Sequence, residues 1–222
     1  DWSSDVCSSD LVGVKDEEEL PPAEFVDDFV DEITIAEASI EDDAEVFADA
    51  IYDEYPQTEL NQEERDIFTY FTPIEGMEAS LCRMLTGVRA RYSSNGGISG
   101  GNIIIQGGEG SGKTRLATNI IRVLQLEIDK PNNSIGRIDG DKLNTKDLRK
   151  LFDKIRGGAL IIEDAGKITR ETALELSAQM ELDESGILVI LEDARIGIER
   201  VMALNPHFSR RFTEKVVIPV LT

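Results

Sequence analysis

The chain has one histidine, two cysteines, one tryptophan and an aromatic share of only 6%. A lone His207, with Cys7 and Cys82 far apart, supplies neither a ligand set for a zinc or iron centre nor a disulfide framework. Cys82 reads instead as a small core residue. No apolar run is long enough to cross a bilayer and no basic-then-apolar leader opens the sequence, so no membrane role and a cytoplasmic setting are expected. Basic residues are scarce in one part only: residues 1–94 carry 26 acidic and 5 basic side chains, whereas residues 95–222 carry 18 of each. Neither part has the basic stripe that a nucleic-acid backbone requires, which argues against that class of partner.

The net charge of -21 thus belongs to the N-terminal part. Its first eleven residues, 1–11, resemble a translated sequencing-adapter string and carry no fold argument. Residues 12–66 form an acidic low-complexity arm in which Phe25, Val26, Phe29, Val30, Ile33, Ile35 and Ile40 are interspersed with carboxylates. Such a segment repels itself, so the arm is expected to be mostly disordered, either as a solvating tail or as a docking arm for a basic or amphipathic protein partner. Residues 67–94 read as a helical linker, because Met77, Leu81, Met84, Leu85 and Val88 recur at helical spacing, and residues 93–101 as a flexible Ser/Gly connection.

From residue 95 to 222 apolar strand-like runs alternate with amphipathic helical patterns, the signature of an α/β domain with a mostly parallel sheet between helical layers. Five strands are expected, over residues 102–106, 134–139, 159–163, 186–191 and 215–218. One helix places Leu148, Leu151, Phe152 and Ile155 on a face; others run over 169–180, capped by Thr169, and 196–204, stopped at Asn205-Pro206.

Between the first strand and the first helix lies Gly107-Gly108-Glu109-Gly110-Ser111-Gly112-Lys113-Thr114, followed by Arg115, which fits G-x-x-x-x-G-K-[ST] at every fixed position. Glycines let backbone N–H groups converge on an anion, and the helix N-terminus adds partial positive charge, so phosphate is the natural ligand. Lys113 would reach the β and γ phosphates and the Thr114 hydroxyl would ligate Mg²⁺. The third strand ends in Glu163-Asp164, where a parallel sheet presents ligands: Glu163 as the carboxylate for hydrated Mg²⁺, Asp164 as the group that polarises the attacking water. The fourth ends in Glu192-Asp193, placed to sense a γ phosphate or simply to face solvent. Arg210 and Arg211 precede the last strand, and an arginine fork there can stabilise charge on a transferred phosphoryl group or form a surface ion pair. With no Asn-Lys-x-Asp guanine motif, ATP is preferred over GTP.

Taken together, these motifs resemble the AAA+ ATPase core over roughly residues 98–219, and its CbxX/CfxQ-type branch in particular. The branch resemblance rests on Gly157-Gly158 before the carboxylate strand and on Asn-Pro followed by Arg211-Phe212. It implies a P-loop NTPase sandwich with sheet order 5-1-4-3-2, ATP and Mg²⁺ as ligands, Arg211 as an arginine finger and a working ring of copies. The departures carry expectations too. The family's usual Asp-Glu is Glu163-Asp164 here, so the catalytic carboxylate is one methylene shorter and slow hydrolysis is expected. Residues 139–146 hold no aromatic pore-loop residue, which argues against threading, and the helical lid that follows the fifth strand in the family is missing, as in a fragment. The function expected is slow ATP hydrolysis in a ring that remodels or regulates a protein partner; the alternative is an ATP-gated scaffold with little hydrolysis.

Overall fold

The computed structural model describes residues 34–36, 59–95, 101–127 and 134–219. The readings of segment 1–11, of most of the acidic arm and of residues 96–100 of the expected connection 93–101 lie outside them; residues 93–95 of that connection are helical instead.

The sheet comprises β1 (Thr34–Ala36), β2 (Asn102–Gln106), β3 (Ile135–Asp139), β4 (Ala159–Glu163), β5 (Leu188–Asp193) and β6 (Phe212–Val217), in the order β1-β3-β4-β5-β2-β6. The last five are all parallel, and counted alone they run 5-1-4-3-2. β1 adds an antiparallel edge against β3. It departs from the expected disorder of the arm at an uncharged, β-branched step, Thr34-Ile35-Ala36, between acidic neighbours.

Alternation along each strand sorts the core into two layers. Ile103, Ile105, Ile161 and Ile190 face one side with Leu116 and Ile120 of α3 (Lys113–Glu127) and Leu81, Leu85 and Val88 of α2 (Met77–Asn95). Ile104, Leu160, Ile162, Val189 and Leu191 face the other, covered by α5 (Leu148–Lys154), α6 (Arg170–Leu182), α7 (Arg195–Leu204) and α8 (Pro206–Ser209). Strands buried on both faces explain the unbroken apolar runs. Together these layers make a three-layer α/β/α sandwich. Buried Asn102 stitches its centre: its Nδ2 donates to the Arg211 carbonyl at 3.0 Å, and its Oδ1 accepts from the Val189 N–H at 2.9 Å.

The stretch before the sheet is part of this core. Leu60, Phe68, Phe71 and Met77 are buried with the first layer, and α1 (Gln62–Ile67) begins inside the span expected for the arm. A capping box fixes its start, with the Glu64 N–H donating to Asn61 Oδ1 at 2.8 Å and the Asn61 N–H to Glu64 Oε2 at 2.7 Å. Buried Glu64 then pairs with Arg89 of α2, which holds the two helices together. Later, Thr169 caps α6 as expected. Asn205 ends α7 and also caps α8, its Oδ1 accepting from the N–H groups of His207 at 2.7 Å and Phe208 at 3.2 Å.

Candidate nucleotide site

At the C-terminal ends of the parallel strands lies a cavity of ≈ 370 Å³, lined by Gly110, Gly112, Lys113, Thr114, Arg115, Asp139, Glu163, Asp164 and Glu192. Its size falls in the range of ligand pockets, roughly 300–1,000 Å³. Loop 107–112 leaves β2, bends through Gly110 (φ 70°) and Gly112 (φ 84°), and enters α3 directly at Lys113. Both φ values lie in the left-handed region, where a side chain is strained, so glycine is needed for the turn itself. The first N–H groups of α3 have no carbonyl to serve within the helix and point toward the bend. Ser111 Oγ is buried without a partner, and Lys113 Nζ sits on the Gly108 carbonyl at 2.8 Å. These are groups that a phosphate oxygen would satisfy better.

The carboxylates gather around one hydroxyl. Thr114 Oγ1 lies 3.0 Å from Glu163 Oε1 and 2.5 Å from Glu192 Oε1. Arg137 of β3 pairs with Glu163 at 3.2 Å, holding it at the cavity wall. Glu192 is only 2% exposed, and its Oε2 has no hydrogen-bond partner. Burial, reinforced by the Glu163 charge, pushes its carboxyl up from 4.5 to about 7, against the Thr114 hydrogen bond, Lys113 and Arg137. The Thr114 hydroxyl, whose one proton two carboxylates share, donates to Glu192 and so offsets part of that burial cost. The donor set of two carboxylates and one hydroxyl suits a small hard cation such as Mg²⁺.

Asp164 also lines the cavity, with backbone in the left-handed region (φ 47°, ψ 46°), one of the few such non-glycine positions an aspartate tolerates. Lys167 Nζ reaches Asp164 at 2.8 Å and Asp139 at 3.4 Å, so a lysine bridges the two outer carboxylates. Asp193 does something else. Its Oδ2 accepts from the Gly166 N–H at 2.8 Å and its Oδ1 from the Ala194 N–H at 2.6 Å, tying the turn after β4 to the start of α7. The approach is so close that a Cβ on Gly166 would lie 2.5 Å from the Gly197 Cα.

Of the expected site residues, Gly110, Gly112, Lys113, Thr114, Arg115, Glu163 and Asp164 line one cavity, with Gly107, Gly108, Glu109 and Ser111 in the loop behind them. Arg211 is elsewhere. It precedes β6 at the opposite ends of the strands, about one strand length (~17–20 Å) from the cavity. There its Nε donates to Ser177 Oγ at 2.9 Å and its Nη2 to Glu181 Oε2 at 2.6 Å, both on α6. Three contributors escaped the sequence reading. Asp139 ends β3 in the same way as Glu163 ends β4, a signal that was available. Tyr70 stacks on the Arg115 guanidinium, 3.4 Å from ring centroid to Cζ, and Phe71 would touch any Cβ placed on Gly112. Neither aromatic has a local motif to announce it.

No family model and no curated protein matches this chain. Among solved structures, a variant of Thermotoga maritima RuvB is similar in fold, at 20% identity and a TM-score of 0.49, covering 66% of this chain and 46% of its own. The chain therefore spans less than half the length of that neighbour. Among the described residues no helix is long and apolar enough to cross a membrane.

Proposed function

We propose that the chain is an ATP-binding module of the AAA+ type, related to the CbxX/CfxQ branch, that hydrolyses ATP slowly within an assembly of its own copies in the cytoplasm. The observation that carries this reading is the convergence of Lys113, Thr114 and Glu163 on one cavity beneath a phosphate-type loop whose buried Ser111 Oγ lacks a partner. Lys113 would leave the Gly108 carbonyl for a phosphate oxygen, while Thr114 and Glu163 would hold Mg²⁺. When bound, Mg²⁺ would neutralise charge on the phosphate oxygens. Asp164 would orient and polarise the attacking water from the cavity wall. Arg211, at the far ends of the strands, could meet a nucleotide only across a boundary between copies, and only by releasing Glu181.

A second reading, an ATP-gated scaffold with little hydrolysis, is favoured by the Lys167–Asp164 ion pair, which occupies the very carboxylate that would activate water. Mg²⁺-dependent ATP turnover against protein concentration, with Lys113→Ala as blank, separates the two. Specific activity that rises with concentration and vanishes in the variant supports the ring ATPase. If activity is flat at background while ATP binding persists, the scaffold stands. In the same assay Asp164→Glu would raise turnover in a chain tuned to hold ATP and lower it in a working catalyst. A protein partner recruited by the acidic arm is tested by deleting residues 16–58, short of α1; capture unchanged by the deletion removes that role.

A further inference from the structure

Resting on the nucleotide reading above, we propose that Glu192 is a direct ligand of the divalent cation that accompanies the nucleotide, so that the cation takes two protein carboxylates and the Thr114 hydroxyl. Three oxygens converge here: Glu163 Oε1 and Glu192 Oε1 lie 3.0 and 2.5 Å from Thr114 Oγ1, the hydroxyl that the loop offers to a cation. Glu192 is 2% exposed, lines the cavity, and its Oε2 has no partner. The nearby side-chain cations are committed elsewhere, Lys113 to the Gly108 carbonyl and Arg137 to Glu163. Bringing phosphates against a buried carboxylate that has no ion-pair partner would be repulsive, whereas a divalent ion between them turns that repulsion into ligation. Among the described residues no group of three or more acidic, histidine or cysteine side chains could hold a metal ion. The cation must therefore draw further oxygens from phosphate and water, the usual habit of Mg²⁺.

The test uses Mn²⁺ as a Mg²⁺ surrogate with a non-hydrolysable ATP analogue and the whole chain. Mn²⁺ affinity of the protein–analogue complex is read by calorimetry, and the water count on Mn²⁺ by electron paramagnetic resonance in ¹⁷O-labelled water. Glu192→Gln is isosteric, and its fold is checked by thermal melting. The expected result is at least about a tenfold loss of Mn²⁺ affinity and one additional water on the ion, since even outer-shell groups cost about 10–100-fold. Metal-free analogue affinity should not weaken. Mn²⁺ affinity and water count equal to wild type in Glu192→Gln, with both altered in Glu163→Gln, would overturn the assignment while leaving the nucleotide site intact. Failure of the wild type to bind the analogue even with Mn²⁺ would instead overturn the nucleotide reading, and this proposal with it.

Discussion

The dipeptide Glu-Asp ends both β4 and β5, neighbouring parallel strands in register through Ile162 and Leu191, yet the two copies serve different purposes. At β4, Glu163 is partly exposed and matched by Arg137, and Asp164 turns into the left-handed region to stand at the cavity wall beside Lys167. At β5, Glu192 is buried with no arginine or lysine in contact, and Asp193 folds back on two backbone N–H groups. The first pair is solvated and compensated, so it can exchange partners. In the second, one carboxylate is kept short of partners and the other is spent on architecture. Both strands lie inside the sheet and Thr114 touches both glutamates, so the difference lies in the partners: Arg137 of β3 reaches Glu163, whereas Glu192 has only the Thr114 hydroxyl.

Substitutions that treat the pairs alike should expose this asymmetry. The largest effect is expected at Asp193. Asp193→Ala removes two charge-assisted hydrogen bonds and should cost about 3 kcal/mol, measured by urea unfolding. Asp164→Ala, at an exposed turn in the left-handed region, should cost no more than about 1 kcal/mol; equal losses would erase the distinction between a structural and a chemical aspartate. Next, Glu163→Gln should lower ATP turnover about 100-fold, a loss of about 2.7 kcal/mol in the transition state, with little change in melting temperature. Normal turnover in that variant would remove Glu163 from the cation site.

Glu192 gives the third prediction, through pH. In the nucleotide-free protein its carboxyl is raised from 4.5 to about 7 by burial, so between those values the native state keeps a proton that the unfolded chain has lost. Its stabilising contribution is complete below pH 4.5 and disappears as pH rises through about 7. Wild type should therefore lose on the order of 2 kcal/mol relative to Glu192→Gln across this window. Parallel stability curves for the two proteins would show that burial does not perturb Glu192. A comparably small effect is expected away from both pairs. Arg211→Ala, which frees α6 from the approach to β6, should cost about 1 kcal/mol because Glu181 is largely exposed.

Much of this frame could be read from the residues. Isoleucine runs bounded by glycine marked β2 and β4, and the fixed positions of loop 107–114 marked one wall of the cavity without any structure. The strand order followed from the resemblance rather than from periodicity. What could not be read depends on contacts between distant segments. Glu192 and Glu163 are identical letters near the ends of neighbouring strands, and nothing local tells that one is buried while the other is half exposed beside Arg137. Asp193 looks like a solvent-facing carboxylate until the turn Ala165–Lys167 and α7 cross at two glycines. Likewise, the spacing of Met77, Leu81 and Val88 announced a helix, but not that it would share a core with β2 and β6. The short β1 was hidden because the acid content around it dominated the reading of the arm.

The position of β2 has a consequence in time. It lies between β5 and β6, and these begin 86 and 110 residues after its first residue, at Leu188 and Phe212. At roughly 5–20 residues per second, the ribosome delivers the phosphate loop about 5–20 s before the strands on either side of it exist. For that interval Asn102–Gln106, with its three consecutive isoleucines, is an unpaired, strongly β-forming segment, the kind that seeks another edge if left uncovered. Helix α2, made earlier and apolar on one face, is the first cover the nascent chain can offer it, and the candidate site is completed only when nearly all of the residues described have been synthesised.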